Sequence, residues 1–186
     1  GGVLIVVSVL LATLLWANIF NKYVMLTLFA FFGLAVVGFV DDYIKLTRKN
    51  SDGLSKTAKF TGQVAVGLAV GIILYCDPQF STLLHVPFFK NVTVDLGIFY
   101  ILFSVLVICG SSNAVNFTDG LDGLAVGCMV MTALTFSILS YITGHAKFSE
   151  YLLIPFVPYA GELAIFCAAI MGACMGFLWF NCFPAA

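Results

Sequence analysis

Four of the nine acidic residues in this 186-residue chain fall in two short motifs. Asp41 and Asp42 are adjacent in "GFVDDYIK", and Asp119 and Asp122 stand among glycines in "AVNFTDGLDGLA", with Asn113, Asn116 and Thr118 just upstream. Both motifs border very apolar runs. Carboxylates crowded together repel unless a cation joins them or one takes up a proton. A hard, oxygen-seeking Mg²⁺ suits such a group, and it usually brings a phosphate-bearing substrate with it. Gly120 and Gly123 would let backbone approach such a ligand closely, and the amides opening the next helix could meet an anion. Lys45, one helical turn beyond Asp42, and Lys59, after "GLSK", supply positive charge for a diphosphate.

The elements that must position these residues are membrane helices. The chain is 62% hydrophobic and only 9% charged, with a mean hydropathy of +1.10, whereas soluble domains are roughly a quarter charged. Uncharged runs at Val3–Phe20, Tyr23–Val40, Phe60–Cys76, Leu96–Ser112, Leu124–Ile142 and Leu163–Phe183 each fall in the window of about 17 to 25 residues that crosses a hydrocarbon core as helix. The expected fold is all-α: a polytopic integral membrane helical bundle of about six transmembrane helices, with residues 1–186 forming a single transmembrane domain. The first run has no basic region before it and no small-residue cleavage site, so it reads as a span rather than a signal peptide. The 77–95 link, with Pro78, Pro87 and the alternating "NVTVDLG", predicts a small hairpin or a segment lying on the membrane surface.

Charge sets the orientation. Five of the eight Lys and Arg residues (Lys45, Arg48, Lys49, Lys56, Lys59) lie between the second and third spans, and Lys22, Lys90 and Lys147 occur singly elsewhere. The positive-inside rule makes the 41–59 loop cytoplasmic. Alternation then brings the 113–123 loop to the same face, so that both acidic motifs meet the basic loop at one depth. Tyr75, Tyr141 and Tyr151 mark outer boundaries and Trp179 an inner one. Asp41 and Asp42 are expected at a helix C-terminus, where the dipole adds about half a negative charge to their mutual repulsion.

Each feature has a plainer reading. An acidic pair at a membrane boundary also serves as an interface marker, and a basic run as a topogenic signal. The small-xxx-small pairs Gly67/Gly71, Gly123/Gly127 and Gly172/Gly176 read as helix packing. The six cysteines lie mostly in apolar runs with no CxxC pairing and read as small helix- or lipid-facing residues. Glu162 sits near an outer boundary, where interfacial solvation accounts for it, and His85 and His145 carry no assigned role. No basic stripe points to nucleic acid. The coincidence of both acidic motifs with the basic loop on one face is what favours a site.

"GFVDDYIKLTRKNSDGLSKTAKF" and "NAVNFTDGLDGLA" resemble the two signature loops of the phospho-N-acetylmuramoyl-pentapeptide transferase family, within the polyprenyl-phosphate N-acetylhexosamine-1-phosphate transferase superfamily. The opening "GGV" and closing "NCFPAA" resemble the edges of neighbouring motifs of that family, so the resemblance runs the length of the chain. It implies transfer of phospho-MurNAc-pentapeptide from UDP-MurNAc-pentapeptide to undecaprenyl phosphate at the cytoplasmic face of the bacterial inner membrane, giving lipid I and UMP with Mg²⁺ as cofactor. Carried over by motif, Asp41 is the candidate base and Asp42 its neighbour that orders the site or the metal. Lys45 and Lys59 handle phosphates, Asn116, Asp119 and Asp122 shape the nucleotide and metal site, and Asn181 lies near the uracil. The implied metal ligands are Asp42, Asp119 and Asp122, and a homodimer stays open.

The family has about ten spans, and a further Gly-Asp motif and a His-rich loop are expected beyond Ala186. The chain thus reads as a central fragment, truncated at both ends and inactive on its own. Rival readings are a related transferase using another UDP-amino sugar, an ion or proton transporter, and a non-catalytic membrane protein. A transporter calls for acids at the bilayer midplane and broken helices around them, whereas the apolar runs here are unbroken except near Pro155 and Pro158.

Overall fold

A computed structural model describes residues 2–48, 53–86, 89, 92–120 and 123–181. Helices dominate: α1 Gly2–Trp16, α2 Lys22–Arg48, α3 Lys56–Tyr75, α4 Phe99–Thr118, α5 Leu124–Thr143, α6 Ala146–Leu152 and α7 Leu163–Asn181. The β1 (Leu83–His85) and β2 (Thr93–Asp95) strands pair antiparallel in the 77–95 link, so the hairpin reading of "NVTVDLG" holds. A single 3₁₀ turn, Ala160–Glu162, leads into α7.

Among the described residues, five helices are long and apolar enough to cross a membrane: Lys22–Thr47, Lys56–Tyr75, Phe99–Thr118, Leu124–Thr143 and Ala160–Phe180. The first of the six expected spans is the exception. Its helix has 15 residues, about 22 Å at 1.5 Å per residue, against a hydrocarbon core of about 30 Å. The uncharged run counted to Phe20, but the helix ends at Trp16. Asn18 then folds its carboxamide onto the Phe20 N–H at 3.0 Å, and Asn21 accepts the Tyr23 N–H at 2.9 Å to open α2. Asparagine competes with the helix for backbone hydrogen bonds in this way.

The chain forms two compact units. In the unit made of residues 1–32 and 115–186, α5 and α1 both pack on α7. Its core gathers Val9, Ala17, Val24, Leu28 and Phe166, and the Phe31 ring meets Phe166 edge-on at 5.5 Å. Glu162 is not simply solvated. Its Oε2 accepts the Asn18 N–H at 2.9 Å, while the Asn21 side-chain amide donates to the Tyr159 carbonyl at 2.8 Å. A lone acid beside an apolar run gave no hint of that partner, 144 residues away in sequence.

In the unit made of residues 33–114, α3 lies against both α2 and α4. A Cβ at Gly67 would stand 2.9 Å from the Val105 Cα and one at Gly71 3.0 Å from the Ile101 Cα, so these glycines let α3 and α4 meet at backbone contact. Gly67/Gly71 is therefore a packing pair, as read from sequence. Gly127, Gly172 and Gly176 show no such contact among the described residues: beyond their own stretch of helix, nothing lies within 4 Å of where their Cβ would be. Gly123 instead takes φ +80° ahead of α5, a conformation that favours glycine. The described cysteines are free thiols.

Candidate functional site near the C-terminal end of α2

The site begins with a helix that runs further than its apolar stretch. Asp41 and Asp42 do not end α2, which continues to Arg48. They therefore stand nearly two turns before its C-terminus, and the dipole repulsion expected of them does not arise. Lys45 explains the continuation: it shares a helix face with both acids and reaches Asp41 Oδ2 at 2.7 Å and Asp42 Oδ1 at 3.7 Å. Acid-before-base pairs at these spacings support helix.

The chain then folds back onto the same carboxylate. The Leu54 N–H donates to Asp41 Oδ1 at 2.8 Å, and Ser55 caps α3 by accepting the Ala58 N–H at 3.2 Å. One turn into α3, Lys59 Nζ stands 3.9 Å from Asp41 Oδ2. Gly53 makes the fold-back feasible, because a Cβ there would collide with Asp41 Oδ1 and with Lys45 Cε. Asp41, only 7% exposed, thus has one oxygen on a backbone amide and the other facing two ammonium groups. The Asp42 side chain is 77% exposed, with Lys45 beside it at 3.7 Å.

The structure brings together Asp41, Asp42, Lys45 and Lys59. Asn116 is exposed on the last turn of α4, and Asp119 is exposed in the turn that follows, both in the other unit. Asp122 lies outside the described residues, and Asn181 is the final residue of α7. The expected meeting of the two acidic motifs rests on the topology argument. Among the described residues, no three His, Cys, Asp or Glu side chains group closely enough to hold a metal ion. Asp42 has the character of a Mg²⁺ ligand, being a hard and accessible carboxylate, whereas both oxygens of Asp41 are engaged. The roles of Leu54 and Gly53 went unread in the sequence; the one available signal was "DG" before "LSK", a turn ahead of a helix cap.

The long apolar helices define an integral membrane protein, and the fold-back of Lys45 and Lys59 onto Asp41 is its candidate anion site. Residues 23–186 match glycosyl transferase family 4, and the chain belongs to that family. Similar proteins include the phospho-N-acetylmuramoyl-pentapeptide-transferases of Citrifermentans bemidjiense, 54% identical over 185 residues, and of Geobacter sp. strain M21, 53% identical over 185 residues. That of Thermodesulfovibrio yellowstonii is 48% identical over 187 residues. Each alignment covers 100% of this chain and 52% of the relative, so the chain spans about half the length of the curated relatives it matches.

Proposed function

We propose that this chain belongs to a membrane phosphoglycosyl transferase that moves phospho-MurNAc-pentapeptide from UDP-MurNAc-pentapeptide to undecaprenyl phosphate, releasing UMP and forming lipid I. The observation that carries the reading is the Asp41 cluster, two lysines and a backbone amide around one buried carboxylate with an exposed carboxylate beside it, in a chain about half identical to transferases of that name. In this reading Lys45 and Lys59 bind phosphate oxygens. As a phosphate draws the ammonium groups away from Asp41, its Oδ2 is freed beside the incoming lipid phosphate and can take its proton as general base. By the family resemblance Asp42, Asp119 and Asp122 would be the Mg²⁺ ligands, and the ion when bound would neutralise charge on the diphosphate. Asn116 shapes the nucleotide site and Asn181 lies near the uracil. The site faces the cytoplasm of a bacterial inner membrane, where a UDP-linked donor is found.

The test is UMP release by the purified full-length protein supplied with UDP-MurNAc-pentapeptide, undecaprenyl phosphate and Mg²⁺. Asp41→Asn should lower turnover by about a hundredfold or more, the scale of losing a general base, with donor binding less affected. Folded wild-type protein that releases no UMP would sink the reading, and release from UDP-N-acetylglucosamine instead would move it to the neighbouring branch. Turnover of Asp41→Asn within a few-fold of wild type would remove Asp41 from the chemistry.

A further inference from the structure

In the unit of residues 33–114, the most buried polar side chain among the described residues is Gln63, 2% exposed, one turn along α3 from Lys59. Its Nε2 donates to Ser112 Oγ at 3.0 Å, and its Oε1 accepts from Asn113 Nδ2 at 2.9 Å. Asn113 Nδ2 also donates to the Cys109 carbonyl at 2.8 Å, within its own helix. Gln63, Gly67 and Gly71 recur every fourth residue and form one face of α3. The two glycines bring α4 to backbone contact, but contacts of that kind have no direction and tolerate sliding or rotation. The amide clamp is directional, so it fixes the rotation and depth of α4 against α3. Three residues beyond Asn113 on the same helix is Asn116, one turn further toward the "DGLDG" loop.

We propose that Gln63 and Asn113 are positioning residues for the transferase site: by locking α4 on α3 they set the placement of the helix end that carries Asn116. The proposal rests on the transferase reading above. Interhelical hydrogen bonds between polar side chains in membranes stabilise only modestly, so removing this clamp should disturb placement more than folding.

The experiment uses the full-length protein with Gln63→Leu, Asn113→Leu and the double variant. Each single variant should raise KM for UDP-MurNAc-pentapeptide by about tenfold, within the range that misplacement by up to an ångström produces, with KM for undecaprenyl phosphate unchanged. The double variant should be no worse than Gln63→Leu, which already removes both bonds to α4, and Gln63→Glu, which in its protonated form keeps both donor and acceptor, should restore most of the loss. Unchanged donor KM in the single variants, or losses that multiply in the double variant, would overturn the proposal. Should Gln63→Leu fail to fold, Ser112→Ala, which removes one of the bonds, must raise the same KM to a smaller extent, and an unchanged KM would count against the clamp. Labelling of a cysteine introduced as Asn116→Cys gives a readout independent of turnover. Its rate should change several-fold when Gln63→Leu is added, and an unchanged rate refutes the clamp. Inactive wild-type protein would refute the transferase reading and leave the clamp to be decided by labelling.

Discussion

Asp41 and Asp42 are neighbours in sequence and opposites in environment: one is buried under two lysines and an amide, the other faces solvent. Adjacent helical positions point about 100° apart, so an acidic pair on one helix presents one group inward and one outward without any special design. What makes the inward one usable is Gly53. Gly53→Ala would drive a methyl into the Asp41 carboxylate and the Lys45 chain, so either the Leu54 amide or Lys45 must withdraw. In the full-length enzyme this substitution should cut kcat/KM by about tenfold or more with little change in thermal stability, since the collision lies at the fold-back. The control is Gly38→Ala on α2, where a Cβ meets no atom within 4 Å. It should leave turnover unaltered, since adding a methyl in a helix interior is favourable by at most about 1 kcal/mol. Equal effects of the two substitutions would show that Gly53 is an ordinary linker residue.

At the level of elements, five of the helices were legible because uncharged runs of spanning length need no tertiary information. Charge does not stop α2, which runs through Asp41, Asp42 and Lys45. No glycine or proline occurs between Asp41 and Gly53, and the Asp41, Asp42 and Lys45 spacings favour helix, so the extension to Arg48 was readable from local rules. The Gln63 clamp and the Glu162 contact were not, because each joins segments dozens of residues apart and only the packed structure shows the partner. The hairpin was foreseen as one of two options, and its anchor is Asp95, whose Oδ1 accepts from Thr82 Oγ1 at 2.6 Å and from the Gly97 N–H at 3.0 Å. These bonds, the Thr82 hydroxyl first, lower the Asp95 carboxyl below its ordinary 3.8. A carboxylate favoured in this way supports the folded hairpin above the unfolded pKa, and that support is lost as pH falls through the lower, folded value. The Gly97 amide resonance should therefore titrate with a midpoint below 3.8, and Thr82→Ala should move the midpoint back up. A midpoint at or above the ordinary value in the wild-type protein would show that the carboxylate is not held.

Across the whole chain, the proposed chemistry stands or falls with which face of the membrane each loop occupies. A donor carried on UDP is a cytoplasmic compound, so the Asp41 cluster must open to the cytoplasm. If the five helices of spanning length all cross, the proposal requires them to alternate from the Lys45–Lys59 segment, α3 leading out to the hairpin, α4 returning, α5 leading out to α6 and α7 returning. That topology would put the five basic residues of the 45–59 sequence segment inside and Lys22, Lys90 and Lys147 outside, in accord with the positive-inside rule. The arrangement can be tested by single cysteines in a version with the six native cysteines replaced. Lys56 and Ser81 are exposed and mark opposite ends of α3, and Lys147 is exposed on α6. Ser149 is an unsuitable probe, being 1% exposed with its hydroxyl donating to the His145 and Ala146 carbonyls. In intact cells an impermeant thiol reagent should label Ser81→Cys and Lys147→Cys and spare Lys56→Cys until the membrane is opened. Removing Lys56 leaves four of the five inner charges in place, so the substitution does not itself argue for inversion. The reverse labelling pattern would put the Asp41 cluster outside, away from any UDP-linked donor, and the transferase reading of this site would fail with it.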